Sequence, residues 1–319
     1  MKRSLLRYDA AMRELPPSFA VGHAVDRGLN TGVTVVLPDR PVTAGVHVMG
    51  GAPGTRETDL LNPSQAVSEI DALVFSGGSA FGLDAAGGAQ AWLRERGRGF
   101  PAEPFRIPIV PAAIIFDLRN GRMDRWERYP PYRELAYDAC NAAALQPALG
   151  AVGAGIGAAT ATGPGGFGLA AEQLADGTMV CAAAVCNAAG SAHVGDTPHF
   201  WAAPFEVEDE FGGLGVAHPW PEDATRVRTK AGYANENTTL AAVLTDAKLD
   251  GASAERVSVM AHDGFARALY PVHTPADGDV VFTLASGSGA AVNDLGAFGV
   301  AAANCVARAI AVAVYEASR

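Results

Sequence analysis

Two short polar clusters carry groups able to do chemistry. In the stretch YANENTTLAAVLTD (233–246), Asn237-Thr238-Thr239 stands where a polar segment meets an apolar one, so two hydroxyls directly follow an asparagine. Further on, PADGDVV places Asp277 and Asp279 two residues apart around Gly278. An Asn-Thr step before a strand is ordinarily a loop cap, and Asp-Gly ordinarily a turn. Chemistry offers a second reading of each. If the backbone is held correctly, the Thr238 hydroxyl attacks the Asn237 carbonyl, and an N-to-O acyl shift followed by hydrolysis frees Thr238 as a new N-terminus. A terminal threonine carries its nucleophile and a base on adjacent carbons, and an α-amine of pKa about 7.7–8.0 serves near neutral pH. Paired carboxylates two apart can hold an ammonium or orient a hydroxyl.

Other chemistries find less support. Gly153-Ala154-Gly155-Ile156-Gly157-Ala158 fits a dinucleotide fingerprint with Glu172 about twenty residues on, but the preceding DACNAAALQPAL is no apolar strand. Tight packing or a substrate-facing loop is the expectation there. There is no HExxH, P-loop, EF-hand or GxSxG elbow, and the seven histidines lack ligand spacing and read as surface or hydrogen-bonded core residues. Asn237-Thr238-Thr239 also satisfies a glycosylation sequon, but the N-terminal MKRSLLRYDAAMRELPPS lacks the apolar core of a signal peptide. The expected compartment is the cytoplasm, with no membrane span.

These groups need a scaffold, and the chain supplies material for one: 319 residues, 49% hydrophobic, 18% charged, rich in glycine. A net charge of -10 and only three lysines, Lys2, Lys230 and Lys248, argue against a nucleic-acid partner. Cys140, Cys181, Cys186 and Cys305 lie in Ala/Val-rich surroundings and read as buried free thiols. Strands are expected at 31–38, 44–53, 107–118, 177–194, after Thr238 and over DVVFTLASG. Helices are expected near 84–97, within 121–149, over 251–272 and from about 291 to 318. Residues 195–237, rich in Pro, Gly and charge, read as a long loop or mobile linker. The pattern is α/β, with sheets covered on both faces.

The segments LVFSGGSAFGLDAAGGAQAWLRERGRGFP, IPIVPAAIIFDL, VGAGIGA, VCNAAG, NTTLAAVLTDA and HTPADGDVVFTLASG together resemble, in order and spacing, the self-processing N-terminal-nucleophile amidases of the DmpA type, and among them the nylon hydrolases acting on 6-aminohexanoate oligomers. The resemblance covers roughly residues 18 to 315. It implies a single α/β/β/α sandwich of N-terminal-nucleophile type, cut into an α segment 1–237 and a β segment 238–319, with no metal or cofactor. The two segments would form αβ heterodimers that assemble into a homotetramer. Thr238 would be the nucleophile, Asn187 the oxyanion donor, and Asp277 and Asp279 the carboxylates that hold the new ammonium. The substrate it implies is a linear amide oligomer; the alternatives are a DmpA-like aminopeptidase or pantetheine-type amidase, or a processing-dead relative. The chain departs from nylon hydrolases twice. Thr162 stands where they carry a catalytic lysine, with no lysine near it in sequence, and Phe116 stands where they carry a tyrosine.

Overall fold

The computed structural model describes residues 13–121, 126–230 and 237–319. Residues 1–12, on which part of the leader reading rests, lie outside the described residues, as does the segment immediately before Asn237.

Two sheets face each other. The first runs in the order β1 (Phe19–Asp26), β2 (Thr31–Pro38), β6 (Leu73–Ser76), β9 (Ala112–Ile114), β4 (Thr55–Arg56). The second runs β12 (Gly166–Gln173), β13 (Met179–Asn187), β14 (Thr238–Thr245), β15 (Val280–Ala285), β3 (Val42–Val48), β5 (Glu69–Ile70). Two small hairpins, β7 (Phe100–Ala102) with β8 (Phe105–Ile107) and β10 (Ala159–Thr160) with β11 (Gly163–Pro164), complete the strands. Helices α1 (Ala85–Glu95) and α2 (Tyr132–Asn141) cover the first sheet. Helices α3 (Gly251–Ala261), α4 (Asp263–Ala268) and α5 (Leu295–Ala317) cover the second.

Period-two alternation sorts the side chains into three cores. In β13 and β14, Cys181, Ala183, Val185, Leu240, Ala242 and Leu244 point between the sheets, against Phe75 and Ile115. Their neighbours Ala182, Ala184, Ala241 and Val243 point at the helices. The result is the four-layer α/β/β/α sandwich expected. Strands buried on both faces explain why β13 and β14 read as unbroken apolar runs. The parallel pairing of β14 with β15 requires a crossover, which α3 and α4 provide.

α5 is long and apolar enough to suit a membrane span, with mean hydropathy 1.8, yet 83% of that window is buried inside the sandwich. It lies on β12, where glycine is required. A Cβ on Gly168 would sit 2.0 Å from the Ala309 carbonyl oxygen. α5 also carries Arg308, fully buried, whose guanidinium bonds Glu210 Oε2 at 2.7 Å and the Ala171 carbonyl at 3.2 Å.

Several expectations need correction. The strand expected at 44–53 stops at Val48, and that expected at 107–118 shrinks to Ala112–Ile114. Strands β1 and β12 were not anticipated. The segment 195–230 is irregular, as expected, but not a free linker, since Glu210 docks on Arg308 and Lys230 is tied into the sheet. The glycine string leads from a 3-10 turn, Gly153–Gly155, into β10 rather than a helix, and Glu172 lies within β12. That is not the strand-turn-helix of a dinucleotide site. The four cysteines are buried and free, as expected.

Candidate active site

Strand register assembles the site. β13 and β14 are antiparallel, and their ladder ends on the pair Asn187 and Thr238. Directly opposed residues project to the same face with Cβ atoms about 4.5–5.5 Å apart, so the Asn187 amide and the Thr238 hydroxyl share the layer between the sheets. On the other side, β15 runs parallel to β14 with Val280 beside Leu240. Continued backwards, this register sets Asp279, Gly278 and Asp277 against Thr239, Thr238 and Asn237, and a parallel bridge joins Asn237 to Asp277. The Asp-Gly-Asp cluster is therefore no hairpin turn; it is the lead-in to a strand beside Thr238.

The peptide joining Asn237 to Thr238 is held on several sides. The Thr238 hydroxyl donates to the Asn237 carbonyl oxygen at 2.6 Å, and the Gly278 backbone N–H donates to the same oxygen at 2.8 Å. The next amide, Thr239 N–H, donates to Asp279 Oδ1 at 2.7 Å. Both Asn237 and Thr238 are buried. Of these two donors the Gly278 N–H is free to take up charge on that oxygen when a nucleophile adds to the carbon, and a donor already in place costs no reorganisation as charge develops.

Each carboxylate is positioned by its own partners. Asp279 Oδ2 accepts from His273 Nδ1 at 2.8 Å. Asp277 Oδ2 accepts from Thr274 N–H at 2.7 Å, while its buried Oδ1 has no partner among the described residues. Burial, reinforced by the neighbouring Asp279 charge, raises the Asp277 pKa above the usual carboxylate range.

Asn187 is fully buried and its amide is fully specified. Nδ2 donates to the Phe116 carbonyl oxygen at 3.1 Å; Oδ1 accepts from Ala159 N–H at 3.1 Å and from Lys230 Nζ at 2.9 Å. Lys230 Nζ also bonds the Asn187 carbonyl at 3.0 Å. Burial lowers the Lys230 pKa to about 8, opposed by the charges of Cys186 and Asp277.

The structure thus brings the sequence candidates Asn187, Asn237, Thr238, Asp277 and Asp279 to one place. The structure places the two other candidates as follows. Thr162 is exposed and bonds Ser191 Oγ at 2.9 Å; a lysine remote from it in sequence, Lys230, bonds Asn187. Phe116 contributes its backbone oxygen, and its half-buried ring lies 5.8 Å from the Arg119 guanidinium. Gly278, Lys230 and His273 were missed outright. Only Gly278 carried a signal, as the residue without a side chain between two aspartates.

Residues 17–319 match the sequence profile of Peptidase family S58. The chain belongs to that family. Curated relatives include an uncharacterized aminopeptidase of Mycobacterium tuberculosis, 40% identical over 96% of this chain and 90% of the relative. Another, from Mycobacterium leprae, is 39% identical over 91% of this chain and 84% of its own length. Among solved structures, a Burkholderia sp. beta-aminopeptidase superposes with TM-score 0.70 at 22% identity, over 96% of this chain and 88% of that one. The L-aminopeptidase D-Ala-esterase/amidase of Ochrobactrum anthropi, described as a variant of the N-terminal-nucleophile hydrolase fold, gives TM-score 0.70 at 17% identity, over 96% and 87%. The fold of this S58 member is therefore the N-terminal-nucleophile sandwich, and its chemical class is hydrolysis of amide or peptide bonds. The narrower likeness to nylon hydrolases finds no counterpart among these relatives, whose names are those of aminopeptidases.

Proposed function

We propose that this S58 protein cuts itself between Asn237 and Thr238 and then acts as an N-terminal-threonine aminopeptidase or amidase on short peptides. The observation that carries the proposal is the Asn237 carbonyl, held at 2.6 Å by the Thr238 hydroxyl and at 2.8 Å by Gly278 N–H at the start of a buried strand. In self-cleavage Thr238 Oγ adds to that carbonyl carbon, the C–N bond breaks as the amine takes up a proton, and water hydrolyses the resulting ester. Segments 1–237 and 238–319 remain paired. In turnover Thr238 Oγ attacks the substrate carbonyl and its own α-amine takes the proton, later returned to the leaving amine. Asn187 Nδ2 and Gly278 N–H bear the tetrahedral oxygen's charge, and water releases the acyl group from Thr238. Asp277 Oδ1, buried and unpartnered among the described residues, is the acceptor for the new ammonium. The scheme uses side-chain and backbone groups alone. Association of the cut heterodimers into a tetramer belongs to the same proposal and is read by light scattering.

The aminopeptidase names of the relatives support short peptides over nylon-type oligomers as the proposed substrates. A denaturing gel with intact mass tests self-processing: the wild type splits after Asn237 and Thr238→Ala stays whole. A wild-type chain still intact after long incubation sinks the proposal. Free and N-acetylated α- and β-peptides, assayed beside 6-aminohexanoate oligomers, test specificity. Hydrolysis of only free-amino peptides supports it, and internal cleavage of blocked oligomers overturns it.

A further inference from the structure

Asn187 can stabilise an oxyanion only if its amide is turned the right way. Nitrogen and oxygen of a side-chain amide are nearly the same shape, so its neighbours decide. Here three neighbours agree. The Lys230 ammonium has donors and no acceptor, the Ala159 N–H is a donor, and the Phe116 carbonyl is an acceptor. Flipping the amide would set Nδ2 against two donors, one of them charged, and Oδ1 against a carbonyl. The native orientation sends one Nδ2 hydrogen to Phe116 and leaves the second for the site.

Ala159 and Phe116 contribute backbone groups, fixed by the strands they belong to or follow. Lys230 is different: it is a side chain from the irregular segment 195–230, tied by its own backbone N–H to the Ala189 carbonyl at 3.2 Å. Its ammonium spans both the carbonyl and the amide oxygen of Asn187. Around it stand Asn187, the Cys186 thiol, pushed up by burial to about 11, and the carboxyl of Asp277. A hydrophobic side chain would fill this half-buried place without the cost of desolvating a charge, so its chemistry calls for a reason beyond packing.

We infer that Lys230 is a positioning residue for the oxyanion donor, locking the Asn187 amide with nitrogen toward the developing charge in both self-cleavage and turnover. The inference rests on the reading of Thr238 as nucleophile and deepens it. Lys230 belongs to the segment 1–237, seven residues before the proposed cut, and bonds Asn187 at the end of β13. It also supplies the positive charge that Thr162 cannot.

The test uses the full chain and compares Lys230→Met, Asn187→Ala and the double variant, each with its thermal midpoint recorded. Removing one oxyanion donor typically slows a reaction about 10²- to 10³-fold; a residue acting through that donor produces at most that. Lys230→Met is expected to slow self-cleavage about tenfold to a hundredfold, to lower kcat with KM unchanged, and to melt with the wild type. Added to Asn187→Ala it is expected to do nothing more, because the group it orients is gone. A wild-type cleavage rate for Lys230→Met, or a further fall in the double variant, overturns the assignment while leaving Thr238 in place. An uncut wild-type chain overturns the Thr238 reading and this assignment with it.

Discussion

Gly278→Ala is the sharpest single perturbation of the proposed site. Register places Gly278 directly beside Thr238, and a Cβ there would lie 2.6 Å from Thr238 Oγ and 2.9 Å from the Ala52 carbonyl oxygen. The first contact is roughly 0.8 Å short of ordinary van der Waals separation. Rotating Thr238 does not relieve it, because Thr238 Cγ2 already lies 3.3 Å from the same point. The methyl therefore drives the hydroxyl from the Asn237 carbonyl or drags the Gly278 N–H away from it. Overpacking of this kind costs about 1–3 kcal/mol of stability, which leaves a large sandwich folded. The reaction loses more. Misplacing a reacting atom by about 1 Å costs on the order of 10²-fold, and losing an oxyanion donor costs 10²- to 10³-fold, or about 2.7–4 kcal/mol of barrier. A time course of intact mass, starting from freshly purified chain, should show Gly278→Ala cut at least a hundredfold more slowly than wild type. Gly251→Ala is the control, since a Cβ there meets nothing within 4 Å. Gly278→Ala processed at the wild-type rate would refute both the register argument and the role of its N–H.

Other consequences are equally measurable. A carboxylate beside an amine raises the amine pKa, so Asp277→Asn should move the acidic limb of the kcat/KM pH profile of the processed enzyme to lower pH by about one unit. Burial holds His262 neutral, with its pKa lowered to about 3, while an unfolded histidine titrates near 6.5. Between those values the unfolded chain binds a proton that the native one does not, so stability is lost as pH falls through this window, by at most about 1.4 kcal/mol per pH unit. His262→Phe should flatten the dependence of the denaturation midpoint on pH over that range. Arg308→Met strands the buried Glu210 carboxylate and should cost about 3–5 kcal/mol in chemical denaturation, with Arg308→Met/Glu210→Gln milder than the single change.

The layered fold was legible because its central strands and long helices carry their signal locally. β14 and β15 read as apolar runs and α5 as a long small-residue helix, each close to its observed limits. β12 escaped because its code is written elsewhere: GFGLAAEQ has no β-branched residue, and its glycines answer to the backbone of α5 rather than to strand propensity. The site divided in the same way. Thr238, Asn187 and the two aspartates lie in short motifs whose order the chain displays. Lys230 lies in an irregular stretch with no period, and nothing in its own neighbours says that it will reach a strand end 43 residues earlier. Phe116 could not be read as a contributor of anything but its ring, because a carbonyl that matters leaves no trace in the choice of side chain.

The placement of β14 has a further consequence for the proposed self-cleavage. It is an inner strand, with β13 of the first segment paired along one edge and β15 of the second along the other. The groups around the scissile carbonyl come from both edges, so they meet only after both ladders have closed. In the proposed reaction, scission is thus a report on folding: a chain with either ladder open keeps its bond, and the ratio of cut to uncut chain on a gel counts the molecules that reached the native sheet. The enzyme would be issued its nucleophile only on passing that inspection.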